Sequence, residues 1–385
     1  MVDYTDLEPF ATPRQREYIA AIKEHGSNRK AASALGVHHS GVSRSMDSLK
    51  KKAARQGYSP DHDMVHPAPD GFHLKGASTL YKDGEPVLQW VKTNIDRERQ
   101  EELFVAGLAA AAQDLPRLSP IDPPKHTIDA LHNVYTLTDS HVGMLSWGRE
   151  TGEDWDLYIA EDVLVGCFEQ MVDHAPDASS CTVNQLGDFV HFDGLDAVTP
   201  TSGHQLDADG RFEKVAEIVV KILRRVVDIA LAKHDKVHVI MAEGNHDMAS
   251  SVWLRVIFDA LYENEPRVTV DKSPLPYYVY QHGKTMLAFH HGHLKKMAGL
   301  PLLFAARYPE IWGTTKHRVC HTGHLHHKDI KESPGMTVVQ HRTLAANDAY
   351  GARNGFISER SVTAFTYHAQ HGEVASNTVT PEMLK

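Results

Sequence analysis

Cysteine is scarce in this chain: Cys167, Cys181 and Cys320 are the only three in 385 residues. An odd, scattered set builds no disulfide framework. That excludes the disulfide-stapled secreted scaffolds and leads us to expect a reducing, cytoplasmic setting. Long apolar runs are missing as well. No stretch approaches the roughly 20 residues needed to cross a bilayer, and the polar start MVDYTDLEPF is unlike a signal peptide, so no membrane association is expected. Net positive charge is also lacking, at −10 overall, but the balance is uneven. Residues 12–57 hold ten Lys/Arg against three acids, a local +7 that leaves −17 for the remainder. A basic segment on an acidic body raises the question of nucleic acid. Otherwise the composition, 42% hydrophobic and 23% charged, is that of an ordinary globular protein long enough for two or three domains.

The basic segment patterns as three short helices. PRQREYIAAIKEHG carries Pro13 near its start, Tyr18, Ile19 and Ile22 on one face and Gly26 as a stop. SNRKAASALG has Ser27 as a candidate N-cap and Gly36 as its end. HHSGVSRSMDSLKKKAARQ buries Val42, Met46 and Leu49 at i, i+4, i+7. Ala32 allows close helix approach, Gly36 a tight turn, and Val42 packs the third helix back on the second. This spacing resembles the helix-turn-helix of bacterial and phage DNA-binding proteins. The resemblance implies that residues 1–57 form a DNA-binding domain, with His39, Ser40, Ser43 and Arg44 facing the major groove and Lys50, Lys51 and Lys52 near phosphates. A plain helical bundle with a solvated lysine run is the alternative.

Residues 58–127 form a second region. GFHLKGASTLYKDGEPVLQWVKTN predicts two strands around an Asp83-Gly84 turn, with Leu74, Leu80, Val87, Leu88 and Trp90 as apolar contacts. A helix is expected over 97–115, and PRLSPIDPPKH, with four prolines in eleven residues, serves as a linker.

From residue 128 to 385 the texture becomes short apolar strands alternating with amphipathic helices, an α/β rhythm. Five strands end in ligand-type residues. NVYTLTDSHVG ends in Asp139 and His141, SCTVNQLGDFVHFDG in Asp188, KVHVIMAEGNHD in Asn245 and His246. KTMLAFHHGH ends in His290, His291 and His293, and HRVCHTGHLHH in His324 and His326. The carboxyl ends of strands are where α/β sheets gather their sites. Carboxylate, imidazole and amide oxygen together suit Mn²⁺, Fe or Zn²⁺. A closed structural zinc site would want four Cys/His ligands, and only Cys320 lies nearby.

In order, D-x-H, G-D-x-x-H, G-N-H-D, H-G-H and G-H-x-H resemble the motifs of the calcineurin-like metallophosphoesterases, over roughly residues 132–370. The resemblance implies a two-sheet β-sandwich flanked by helices with a site for two divalent ions, Mn²⁺ first and Fe, Zn²⁺ or Mg²⁺ as alternatives. Carried over motif by motif, Asp139, His141 and His326 hold the first ion. Asn245, His291 and His324 hold the second, and Asp188 bridges them. His246 matches the non-ligand histidine that protonates the leaving oxygen or orients the phosphate. His290 is expected to pack on the opposite strand face; His321 and His327, without motif positions, are expected in packing or at the surface.

The superfamily hydrolyses many phosphoesters, so fold alone leaves the substrate open. GDFVHFD and GNHD depart from the phosphoprotein-phosphatase pattern. His191, fourth after Gly187, matches a second catalytic histidine of the double-strand-break-repair nucleases. Together with the helix-turn-helix, this leads us to expect a phage-type DNA nuclease, exo- or endonucleolytic, with DNA as its partner and self-association or replication and repair proteins as further candidates. In the polar loop 194–211, His204 and Arg211 are candidates for reaching substrate, as are Tyr350 and Arg353 near the last strands. Two alternatives stand: an enzyme acting on nucleotides or other small phosphoesters, and a non-catalytic DNA-binding regulator.

Overall fold

The chain divides into two compact units, Met1–Gly107 and Leu108–Lys385. The computed structural model describes residues 4–59, 64, 68, 72–82, 85–95, 121–200 and 202–384. The turn expected at Asp83-Gly84, the helix expected over 97–115 and residues 116–120 of the proline-rich stretch lie outside the described residues.

In the first unit the basic segment folds into α1 (Pro13–His25), α2 (Asn28–Ala34) and α3 (His39–Arg55). Thr12 and Gln15 close a capping box on α1, and Gly26 ends it in the left-handed region. The Ser27 side chain caps α2 by accepting from the Lys30 amide. Gly36 makes the turn into α3 at a φ of +66°, a conformation a side chain would strain. Val42, Met46, Leu49 and Ala53 recur at helical spacing and are buried with Ala32, Ile19 and Ile22 in one small core. Strands β1 (Phe72–Lys82) and β2 (Glu85–Ile95) pair antiparallel in the same unit.

The second unit is a two-sheet sandwich flanked by helices. One sheet has the order β13-β12-β3-β4-β5-β6, built from β3 (Ile128–Leu137), β4 (Ala178–Gln185), β5 (Lys236–Met241), β6 (Val268–Val270), β12 (Val362–His368) and β13 (Gly372–Val379). The other runs β10-β11-β9-β8-β7, from β7 (Tyr278–His282), β8 (Thr285–Phe289), β9 (His317–Thr322), β10 (Asp329–Ser333) and β11 (Met336–Gln340). Strands β3 to β6 are mutually parallel, as are β8, β9 and β11.

Strand alternation feeds both faces of each sheet. Val134, Leu186 and Ile240 meet Leu287, Phe289 and Val319 between the sheets. Tyr135, Val183 and Val239 point the other way, under α4 (Leu157–His174), α5 (Phe212–Lys233) and α6 (Met248–Leu261). Met286, Ala288 and Cys320 pack under α7 (Leu300–Arg307), which α8 (Pro309–Thr314) follows. Both faces covered is what near-continuous apolar parallel strands require. No helix among the described residues is long and apolar enough to cross a membrane.

Several histidines belong to this core rather than to any surface. The His132 ring is bonded at both nitrogens, to Ser180 Oγ and Thr182 Oγ1. His234 donates to the Ala178 carbonyl and meets the Tyr135 hydroxyl. His321 lies between His341 Nε2 and Tyr367 Oη at 2.9 and 3.1 Å. Burial holds His132 and His321 well below the ordinary imidazole range and lowers His234 and His341 to about 4.

A folded-state pKa below the unfolded value of about 6.5 means the unfolded chain binds more protons in that interval. The stabilisation is therefore complete above about pH 6.5 and is lost as pH falls toward 4. We expect the urea midpoint of the whole chain to drop across that window. The slope should be on the order of 1.4 kcal/mol per pH unit for each such histidine, partly offset by Asp247, whose carboxyl burial raises to about 7. A flat midpoint across the window would show that these rings titrate normally.

Candidate metal centre

The turns that follow β3, β4, β5, β8 and β9 meet at one rim of the sandwich. Asp139 and His141 follow β3, Asp188 follows β4, Asn245 and His246 follow β5, His291 follows β8, and His324 and His326 follow β9. Among the described residues, five without a glycine's freedom have positive φ: Asp139, His141, Asp188, His324 and His326. All five come from the motif set. Such backbone costs on the order of 1–3 kcal/mol at each position and persists only where the surroundings impose it.

Two glycines show why these turns can meet. A Cβ on Gly244 would lie 2.0 Å from Asp188 Oδ1 and 2.4 Å from Asp188 N. A Cβ on Gly323 would lie 2.0 Å from Thr138 Oγ1 and 2.5 Å from Asp139 Oδ2. The glycine before Asn245 and the one before His324 are thus fixed by carboxylates on other strands.

The side chains fall into two adjoining groups, each with candidate ligand atoms within 4.8 Å of one another: Asp139, His141 and His326, then Asp188, His291 and His324. His326 Nε2 is 3.2 Å from Asp139 Oδ1 and 3.4 Å from His141 Nε2. His291 Nε2 is 3.1 Å from Asp188 Oδ2 and 3.9 Å from Asp139 Oδ1, so it adjoins both carboxylates. Asn245 Oδ1 is buried with no hydrogen-bond partner, a state a polar atom rarely keeps without a ligand to satisfy it. A third group, His141, His191 and His246, also has ring nitrogens within 4.8 Å of one another.

The outer bonds fix which atoms face inward. His291 Nδ1 donates to the Leu186 carbonyl at 2.8 Å, which leaves Nε2 toward the carboxylates. Asp139 accepts from Thr138 Oγ1 and the His324 amide, and Asp188 from the His246 amide. His246 Nδ1 donates to the His191 carbonyl at 2.8 Å, and His191 Nδ1 lies 3.2 Å from His141 Nδ1.

Electrostatics follow this geometry. Burial alone would raise the Asp139 carboxyl, but His326 and His291 outweigh it and hold the group below the carboxylate range. Asp188 behaves alike, with His291 its main opposing partner. Burial would lower His291, yet Asp188 and Asp139 push it up to about 10. His191 is lowered to about 3 by burial and by His246. Buried carboxylates beside imidazoles and an unsatisfied amide oxygen form a mixed oxygen and nitrogen donor set that fits divalent cations.

Residues outside these groups complete the site. The Asp247 carboxylate accepts amide bonds from Gly244, Asp188, Phe189 and Val190, tying the β4 and β5 turns together. Asp193 accepts from Ala249 and Ser250 at the start of α6. Thr343 Oγ1 donates to the Asp139 carbonyl at 2.5 Å. Asp247 stands inside G-N-H-D and was open to a sequence reading. Thr343 lies 204 positions from Asp139 and carried no local signal.

The remaining expected residues are placed elsewhere. His290 is buried with Nδ1 donating to the Pro276 carbonyl, and His327 is exposed. His204 is exposed in the Val198–Gln205 bridge region, and Arg211 lines a cavity with Phe192 and Phe212. Tyr350 and Arg353 line a different cavity of about 250 Å³ that His191 borders. In the first unit, Ser40, Arg44 and Lys51 lie on the side of α3 away from its buried residues, with His39 exposed at its start. Ser43 accepts from Asn28 Nδ2 at 3.4 Å. Two of the three lysines, both exposed, also make contacts within the unit. Lys52 Nζ donates to the Phe10 carbonyl at 3.0 Å, and Lys50 Nζ stands 5.3 Å from the centre of the Tyr4 ring. Both are occupied in holding the residues before α1 against α3.

No protein-family model matches the chain, and no curated protein matches it. Among solved structures it is similar to a conserved Streptococcus pneumoniae TIGR4 protein described as a predicted phosphoesterase, at 13% identity and a TM-score of 0.30, covering 66% of this chain and 92% of that one. It is similar to an archaeal phosphodiesterase at 11% identity and a TM-score of 0.32, covering 64% and 99%. It is also similar to Entamoeba histolytica Vps29 complexed with Zn²⁺, at 14% identity and a TM-score of 0.27, covering 65% and 99%. Likenesses of this size establish no family for the chain.

Two outcomes are expected on cation binding. Gly244→Ala, which places a methyl against Asp188, should weaken Mn²⁺ binding at least tenfold by isothermal titration calorimetry, and Asp188→Asn should do the same. Binding through His291 should also release protons, because Asp188 and Asp139 push that imidazole up to about 10. Affinity should then rise as pH increases toward that value, with a binding heat that depends on the buffer's ionisation enthalpy. Buffer-independent heat would contradict the protonated His291.

Proposed function

We propose that this chain is a metal-dependent phosphodiesterase that hydrolyses DNA, exo- or endonucleolytically, with the N-terminal helices contributing to DNA binding. The observation that carries the reading is the pair of adjoining Asp/His groups with His246 beside them. Asp139, His141 and His326 would hold one divalent ion, Asn245, His291 and His324 a second, with Asp188 between them; Mn²⁺ is the ion proposed. Such ions, when bound, polarise the phosphoryl group and offset the charge that develops on its oxygens.

The chain's own groups do the rest. His246 spends its Nδ1–H on the His191 carbonyl, so Nε2 is the nitrogen that can take up a proton and then pass it to the leaving oxygen, a role worth roughly 10²–10⁴ in rate. Its amide is held by Asp188, which ties the ring's position to the carboxylate. His191 is bonded to the Asp207 backbone and faces His141. With its nitrogens so engaged, we assign it first to holding His141 and only through that to catalysis.

DNA binding rests on the helical unit, where Arg44 and Lys51 offer charge to phosphates that the acidic second unit would repel. A second reading, hydrolysis of nucleotides or other small phosphoesters, is favoured by the modest cavity of about 250 Å³ beside His191.

Purified protein should degrade end-labelled linear DNA or nick a closed circle with Mn²⁺, and do neither with EDTA or as His246→Ala. Survival of every DNA alongside hydrolysis of a simple aryl phosphodiester would move the assignment to the small-ester reading. In a separate measurement, Arg44→Ala and Lys51→Ala should each reduce the salt dependence of DNA affinity by about one phosphate contact. Unchanged slopes would remove the helices from the DNA interface.

A further inference from the structure

The cavity bordered by His191 has a wall the metal chemistry does not use. It is formed by Gln205 and Asp207 on one side and by Asp348, Tyr350 and Arg353 of α9 (Ala349–Asn354) and its N-cap on the other. At about 250 Å³ it is smaller than the usual ligand pocket. That is room for a single nucleoside and not for a base pair.

Its chemistry narrows the occupant further. Two carboxylates, Asp207 and Asp348, line the wall. They disfavour a phosphate there and favour a group that donates hydrogen bonds, such as a sugar hydroxyl or a ring N–H. Asp348 uses Oδ1 on the Gly351 amide, which leaves its other oxygen for a ligand. The Tyr350 ring is 69% exposed and stands 6.3 Å from Phe356, itself 61% exposed. Exposed aromatics at a cleft edge suit the face of a base. Arg353 is paired with Glu150 at 3.2 Å in a largely exposed contact, a pairing weak enough in water to yield to a stronger anion. The Asn354 side chain donates to the Tyr350 carbonyl and steadies the turn that carries the ring.

We propose that this cavity is the subsite for the nucleoside esterified to the scissile phosphate. Tyr350 stacks on its base, Asp348 and Asp207 accept from its donor groups, and Arg353 meets the next phosphate along the strand. The proposal rests on the phosphodiesterase reading and goes beyond it: the enzyme takes an unpaired nucleotide at its site, so a strand end or a frayed position is engaged rather than intact duplex.

The test compares kcat/KM for the p-nitrophenyl ester of thymidine monophosphate with that for bis(p-nitrophenyl) phosphate. The full-length protein is used with Mn²⁺. The ratio should favour the nucleoside ester in the wild type and in Tyr350→Phe, and fall about tenfold or more in Tyr350→Ala. A ratio equal in wild type and Tyr350→Ala overturns the subsite. If the wild type hydrolyses neither ester, the phosphodiesterase reading fails, and calorimetry with thymidine monophosphate then judges the cavity alone. Binding weakened at least tenfold in Tyr350→Ala supports it, and equal binding or none overturns it. A thermal midpoint shared by the three proteins, expected for so exposed a side chain, separates loss of the ring from loss of the fold.

Discussion

Two carboxylates removed from water, Asp139 and Asp188, are the constraint on which the rest of this structure turns. A buried ionised carboxylate is costly unless it is paired and hydrogen-bonded. Here the compensation comes from His291 and His326 and from the amides of His324 and His246. Each compensating group belongs to a different turn from the carboxylate it serves. The charge therefore cannot be accommodated until β3, β4, β5, β8 and β9 have all been placed. A third carboxylate, Asp247, satisfies four backbone amides from the same turns, and burial with Asp188 and Asp193 nearby raises it to about 7. The site is a consequence of both sheets meeting, and neither sheet carries it alone.

The backbone contributes through strain that the sandwich can support. Five left-handed residues cost on the order of several kcal/mol in total. That is a large fraction of a domain's usual net stability. The apolar layers on both sides of each sheet offset it, with the turns themselves confined to the rim. Glycines 244 and 323 work with the strained residues: they let one turn's backbone approach another turn's carboxylate to a distance that excludes any side chain. The motif glycines and the motif carboxylates and imidazoles are thus two halves of one packing arrangement.

That arrangement explains which parts were legible in the sequence. Asp139, His141, Asp188, Asn245, His291, His324 and His326 sit in short local patterns, so their types and spacings could be read directly, and the structure brings them to one rim. The three helices were legible for the same reason, because Gly26, Ser27 and Gly36 act within a turn of where they stand. Long-range partners were not legible. Thr343 reaches Asp139 across most of the second unit, and Asp193 holds the start of α6 from another strand's turn. Lys50 and Lys52 look like a basic run in the sequence. Only the fold shows them turned to Tyr4 and Phe10.

The segment CHTGHLHHKD shows how far period and backbone go in separating identical side chains. Within β9 the alternation sends Cys320 toward α7 and His321 between the sheets, against Phe365 and Tyr367. His321 is therefore core by strand period alone, and its bonds to His341 and Tyr367 satisfy a ring that has no route to water. After Thr322 the strand ends, and the period no longer governs. Left-handed backbone at His324 and His326 turns both toward the carboxylates. His327, with ordinary backbone, stays at the surface. Four histidines within seven positions thus occupy three environments: core, site and solvent. The signal that separates them is the point at which alternation gives way to strained turn, and the glycine at 323, which only tolerates Asp139 because it has no side chain, marks that point in the sequence.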